Sequence, residues 1–253
     1  MEGTYYKEWS AVLDREMEFK VYGHGGVPVL ALPARGGRFY DWENNGMPEA
    51  AAQLLNEGKM QLFCADSIDG ESLLAGDASP RRRAEMQEKY FLYLTTELAP
   101  RILKLAAADA EKTTVPTLWC AGVDTGAYQA VNCRLRRPEL FAGVIGLSGL
   151  YDVSRFFGGE TDDLILRNSP VAALHEDGIL DKKTLAKADE NSILLCAGQG
   201  SYEGEALEDT QLLADALKDQ SLPAHLEIWG GDVSHDWYWW GKEFGMFAAR
   251  IFG

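Results

Sequence analysis

An α/β fold, with a mostly parallel central sheet and helices on both faces, is what this sequence predicts. Three observations carry that reading. Short apolar runs alternate with helical stretches along the chain. Several runs are continuous rather than alternating in polarity, as in strands covered on both faces. No internal repeat or low-complexity tract interrupts the pattern. With 253 residues and 46% hydrophobic content, the chain can bury one sizeable core, so a single domain over 1–253 is expected.

Taken in order, Glu18 to Tyr22 alternates like an edge strand, and Val27 to Leu32 is a continuous apolar run. Gly46-Met47-Pro48 opens a helix through Leu55, since proline suits an early helical position. Met60 to Ala65 is a buried strand. Ser79 as N-cap and Pro80 in the first turn start a long helix through Leu98; Pro100 is expected to break it before a further helical stretch to Ala110. Val115 to Cys120 is a strand, Gly126 to Arg136 a helix ending before Pro138, and Gly143 to Leu147 a strand. Ile193 to Ala197 and Ala224 to Trp229 complete the strands, with helices at Leu207 to Leu217 and Trp237 to Ile251. Tyr151 to Asn191 is the exception, polar and broken by Gly158-Gly159 and Pro170. A segment that long is either a lid or substrate loop, or irregular surface packing.

Charge narrows the partners. A net charge of -15 opposes nucleic-acid binding, and the one basic run, Arg81-Arg82-Arg83, is followed by Glu85 and Glu88 as on a solvated helix face. No apolar run approaches the roughly 18 residues of a membrane span, and Met1 to Ser10 lacks the apolar region of a secretory signal. Cys64, Cys120, Cys133 and Cys196 have no C-x-x-C spacing, and three of them lie in strand-like runs. Buried thiols and a cytoplasmic location are expected.

Ligands in parallel sheets bind beyond the carboxyl ends of the strands, so the loops after Leu32, Cys120, Ala197 and Trp229 are where chemistry should lie. After the third of the predicted buried runs comes Gly122-Val123-Asp124-Thr125-Gly126. Its strand–turn–helix setting is that of the nucleophile elbow G-x-S-x-G of α/β-hydrolases, with aspartate at the centre. In that fold the order is nucleophile, acid, histidine. His235, between the last strand and the last helix, is the candidate base; Glu203 is the candidate acid, with Glu205 as fallback. The backbone amides of Thr125 and Arg35 are candidate oxyanion donors. Tyr128 and Trp237 are candidate substrate contacts if they face the site.

Other chemistries find little support. His24, His175 and His225 are scattered, with His225 placed structurally in a strand. Asp232, His235 and Asp236 alone do not make a metal-ligand set. Gly23-His24-Gly25-Gly26 precedes a strand and reads as a turn, and no Walker-type loop is present. No metal or other cofactor is expected, and the partner is a small-molecule substrate or ligand, ester-like or apolar.

At this point the chain resembles the esterase family of the α/β-hydrolases that includes esterase D-like enzymes and mycolyltransferases. The residues that carry the likeness are Gly36-Gly37-Arg38-Phe39-Tyr40-Asp41, Gly122 to Tyr128, and Leu147-Ser148-Gly149-Leu150-Tyr151-Asp152. Phe156-Phe157-Gly158, Asn168-Ser169-Pro170 and His235-Asp236-Trp237-Tyr238-Trp239-Trp240 add to them. The resemblance implies a three-layer α/β-hydrolase fold, Glu203 as the acid, His235 as the base, and Asp124 at the position of the nucleophilic serine. Val123 and Thr125 also depart from the family pattern, so natural divergence of the elbow is favoured. Relatives act on varied esters and thioesters.

An aspartate there would form a mixed anhydride rather than an ester, and it gives His235 no hydroxyl proton to remove. Serine-esterase turnover is therefore expected to be lost or much reduced. Two alternatives stand beside that expectation: a non-catalytic ligand- or partner-binding relative, and an aspartate-nucleophile hydrolase acting on alkyl halides or epoxides.

Overall fold

The computed structural model describes residues 1–110, 115–160, 162–176, 178–186 and 192–253. Among the described residues, eight strands form one sheet in the order β1-β2-β4-β3-β5-β6-β7-β8. They are β1 (Thr4–Ser10), β2 (Arg15–Tyr22), β3 (Val27–Leu32), β4 (Met60–Ala65), β5 (Leu118–Val123), β6 (Phe141–Leu147), β7 (Ile193–Ala197) and β8 (His225–Ile228). The β1–β2 and β2–β4 pairs are antiparallel; from β4 to β8 every pair is parallel.

The helices are α1 (Asp41–Asn44), α2 (Met47–Ala50), α3 (Ala52–Asn56), α4 (Pro80–Leu92), α5 (Ala99–Asp109), α6 (Thr125–Arg136), α7 (Asp163–Arg167), α8 (Pro170–His175), α9 (Lys182–Leu185), α10 (Gly204–Asp219) and α11 (Trp237–Phe252). Side chains alternate across a strand, and this sorts the core into two layers. In β3, Leu30 and Leu32 pack with α4, α5, α6 and α10, whereas Val29 and Ala31 pack with α1 to α3 and α11. Trp240, Phe244, Phe247, Ala248 and Phe252 recur at helical spacing and bury one face of α11 against the sheet. The three-layer α/β architecture is as the sequence predicts.

Three differences have physical causes. β1 was not expected as a strand, because it lies at the sheet edge with Tyr5 and Trp9 exposed and so shows no apolar run. Its presence makes β2 an interior strand rather than an edge. Pro100 does not break the helix. The backbone stays helical through a π-helical segment, Tyr93–Leu98, whose wider turn absorbs the missing proline N–H, and α5 follows directly. Thr95 and Thr96 hydroxyls there donate back to the carbonyls of Phe91 (2.8 Å) and Leu92 (2.7 Å).

The segment 151–191 is less irregular than its composition suggests. It contains α7, α8 and α9, and Val153, Phe157, Ile165, Leu174 and Leu185 join the core. Residues 161, 177 and 187–191 of it lie outside the described residues.

Local caps match the sequence. Ser79 Oγ accepts from the Arg82 amide at 3.3 Å, and Asp236 Oδ1 accepts from the amides of Tyr238 (3.0 Å) and Trp239 (3.2 Å). Asp236→Ala, which removes the cap of α11 beside His235, is expected to cost about 1 kcal/mol of stability, read by urea denaturation. A loss below about 0.3 kcal/mol would show that the cap is dispensable.

Candidate active site

The parallel register brings the ends of six strands, β3 to β8, to one side of the sheet. β5 runs into Asp124, whose backbone sits at φ 53°, ψ −123°. That conformation costs an L-residue about 1–3 kcal/mol and persists only where the surroundings impose it. The flanking glycines show how they do. A Cβ on Gly122 would stand 2.1 Å from the Gly126 carbonyl oxygen, and one on Gly126 would stand 2.2 Å from that of Pro33. The turn is therefore pressed against the loop after β3, and both glycines are steric requirements. Asp124 N donates to Leu147 O at 3.1 Å, which ties the elbow to β6.

The same pressing sets the carboxylate. Asp124 is 7% exposed. Its Oδ2 accepts from the backbone N–H of Arg35 at 3.2 Å, and its Oδ1 lies 3.7 Å from the Arg35 guanidinium. Oδ1 itself accepts no hydrogen bond. The Arg35 amide, expected as an oxyanion donor, thus points at the centre of the elbow. Thr125 follows directly, at the first position of α6, and its hydroxyl donates to Asp69 Oδ2 at 2.9 Å.

Asp69 was not foreseen. It is buried, and the same Oδ2 also accepts from the Gly36 amide at 3.1 Å. One carboxylate oxygen therefore clamps the loop after β3 to the elbow. Burial pushes the Asp69 carboxyl above its ordinary range, opposed by the Gly36 and Thr125 hydrogen bonds.

His235 and Glu203 come together from the loops after β8 and β7. His235 Nδ1 lies 3.6 Å from Glu203 Oε2, beyond hydrogen-bond length but facing it. The His235 loop is held by its own amide, which donates to Ser201 O at 3.0 Å, and by the edge of the ring against Trp240 at 4.8 Å. Glu203 is 1% exposed, whereas Glu205 is turned to solvent and pairs with Arg155 at 3.1 Å. The structure thus places Glu203, not the fallback, against the imidazole.

Ser148 orients that acid. Directly after β6, at φ 47°, its hydroxyl donates to Glu203 Oε1 at 2.6 Å and accepts from Trp240 Nε1 at 2.9 Å. Nothing in the spacing of the sequence marked Ser148 as the partner of Glu203. Ser148→Ala is expected to cost about 1.5–3 kcal/mol, the range for a hydrogen bond to a charged group. Thermal denaturation checks it; an unchanged Tm would mean that Glu203 is held in another way.

Arg35, Asp124, Leu150, Tyr202, Glu205 and His235 line one cavity of about 570 Å³. Phe156, from the 151–191 segment, lies under the Arg35 guanidinium at 5.9 Å. Two expected substrate contacts fall elsewhere. Tyr128 is fully buried in the core among α4, α6 and the sheet, because its position on α6 faces inward. Trp237 lines a separate groove with Tyr238 and Met246 and packs on Trp240. Among the described residues, no group of three or more His, Cys, Asp or Glu is placed to hold a metal, and no helix is long and apolar enough to cross a membrane. All four cysteines are buried and free.

An eight-stranded, mostly parallel sheet with a strained strand-to-helix elbow at its centre defines an α/β-hydrolase-like protein. Residues 10–250 match the family described as "Putative esterase", and the chain belongs to it. Solved structures agree on the fold. A ferulic acid esterase superposes with TM-score 0.72 at 17% identity, covering 99% of each chain. MPT51 of Mycobacterium tuberculosis gives 0.71 at 15%, covering 100% of this chain and 98% of that one. FphF, a fluorophosphonate-binding serine hydrolase of Staphylococcus aureus, gives 0.66 at 16%, covering 100% of both. No curated protein sequence matches the chain.

Proposed function

We propose that this esterase-family protein keeps the pocket and the acid–histidine pair of its hydrolase relatives but has lost, or nearly lost, serine-type acyl transfer. Asp124 stands at the elbow position that a serine occupies in serine hydrolases. The observation that carries the reading is the Arg35 amide bonded to Asp124 Oδ2 at 3.2 Å. A donor that would stabilise an oxyanion is already satisfied by the protein's own carboxylate, so an ester carbonyl meets an occupied hole and no hydroxyl nucleophile. What remains is a cavity able to hold a small molecule, bordered by the 151–191 segment through Phe156. A cytoplasmic small-molecule binder of esterase ancestry fits these features.

The test compares p-nitrophenyl acetate hydrolysis by the unsubstituted chain with that by Asp124→Ala. Equal, near-background rates are expected. A rate for the unsubstituted chain that falls at least about a hundredfold on Asp124→Ala would overturn the proposal, because the carboxylate would then be acting as a nucleophile.

A further inference from the structure

We propose that the cavity at Asp124 is a binding site for a small organic cation, a primary ammonium carried on a short apolar body. The inference rests on the reading that Asp124 no longer performs acyl transfer, and it names what the pocket holds instead. The two oxygens of Asp124 are unequal. Oδ2 is spent on the Arg35 amide, while Oδ1 is buried, accepts no hydrogen bond, and belongs to a side chain that lines the cavity. A buried carboxylate oxygen without a donor is a standing demand for one.

Among the described residues, the Arg35 guanidinium is the one cationic group within 4.0 Å of Oδ1, and its position is that of an imperfect occupant. At 3.7 Å it is too far for a hydrogen bond, and its side chain is 45% exposed. It rests above the Phe156 ring rather than seated on the carboxylate. A compact ammonium with three donors satisfies Oδ1 where a tethered planar fork reaches it poorly.

The surrounding charge has the same sign. Glu205 lies on the cavity wall, and Glu203 stands behind His235. Arg155, the next cation, is committed to Glu205 at 3.1 Å and to Asp209. The acids of the site thus outnumber the cations free to neutralise them, which disfavours an anionic ligand. Leu150 and Ala206 supply the apolar wall for the body of the molecule. A cavity of about 570 Å³ matches a small molecule rather than a peptide.

Three probes of nearly equal shape separate the chemistries at pH 7: phenethylamine as the ammonium, phenethyl alcohol as the neutral form, and hydrocinnamate as the anion. Binding is followed by calorimetry and by the amide NMR shifts of Arg35 and Thr125, on the full chain and on folded Asp124→Asn and Arg35→Ala. The ammonium is expected to bind more tightly than the other two. Asp124→Asn should weaken it about tenfold or more, and Arg35→Ala, which removes the internal competitor but keeps the backbone amide, should tighten it about threefold. The sign of the Arg35→Ala effect is decisive. Tighter hydrocinnamate than ammonium binding, weaker ammonium binding in Arg35→Ala, or an absence of ammonium binding to both the unsubstituted chain and Arg35→Ala would overturn the proposal. The p-nitrophenyl acetate assay reports separately on acyl transfer, so an inert chain that ignores the ammonium sinks the cation site alone.

Discussion

Asp124→Ser is expected to raise p-nitrophenyl acetate hydrolysis by about a thousandfold or more over the unsubstituted chain. The elbow backbone already holds φ 53°, ψ −123°, imposed by Gly122 and Gly126 rather than by the aspartate side chain. A serine there would project its Oγ from the same strained turn and release the Arg35 amide from the carboxylate. The freed amide then becomes a donor for a tetrahedral oxyanion, a contribution usually worth a factor of about a hundred to a thousand by itself. His235 would have a hydroxyl proton to remove, with Glu203 Oε2 behind it at 3.6 Å. That gap is longer than a hydrogen bond, but catalytic hydrogen bonds commonly tighten only once substrate is bound. If the gain comes from this assembly, Glu203→Gln added to the serine variant should remove most of it. A serine variant as inert as Asp124→Ala would mean that the residue at position 124 is not what limits acyl transfer.

The scaffold was legible because it is written in local patterns. Ile193 to Ala197 is bounded to the residue, since five consecutive apolar positions between Ser192 and the turn residue Gly198 admit little else. His235 and Glu203 could be placed because they follow strands, and strand ends converge at one edge of a parallel sheet. What was not legible depends on side-chain direction. Tyr128 lies four residues beyond the elbow centre, yet its face of α6 turns into the core. Trp237 is two residues from His235 but on the far side of the helix start, over a different groove. Asp69 and Ser148, which hold the elbow and the acid, act through contacts spanning 56 and 55 residues, and no periodicity reports such pairs. β1 escaped notice for another reason: an edge strand half in water has no apolar signature to show.

Stability should fall as the pH rises from about 5 to about 7.5, by about 3 kcal/mol, and Glu243→Gln should abolish that part of the slope. Glu243 lies on the buried face of α11 with 0% exposure, and neither carboxylate oxygen has a nitrogen or oxygen partner. Burial is the main cause that pushes its carboxyl from 4.5 up to about 8, with Glu203, Asp236 and Glu227 adding like charge and the Cys196 thiol opposing through a hydrogen bond. The folded chain therefore holds a proton that the unfolded chain releases above about pH 4.5. The stabilisation is full below that value and is lost as the pH rises towards the folded value near 8. Asp209, raised to about 6 by burial, tilts the curve in the same direction at lower pH, so the informative quantity is the difference between the two proteins. Urea denaturation across this window reads it. Parallel curves for the unsubstituted chain and Glu243→Gln would place the charged form of Glu243 in the folded state. A gap that widens as the pH rises, with the unsubstituted chain losing stability relative to Glu243→Gln, would instead establish a neutral acid beneath β7, where an ionised one would repel the Glu203 carboxylate that faces His235.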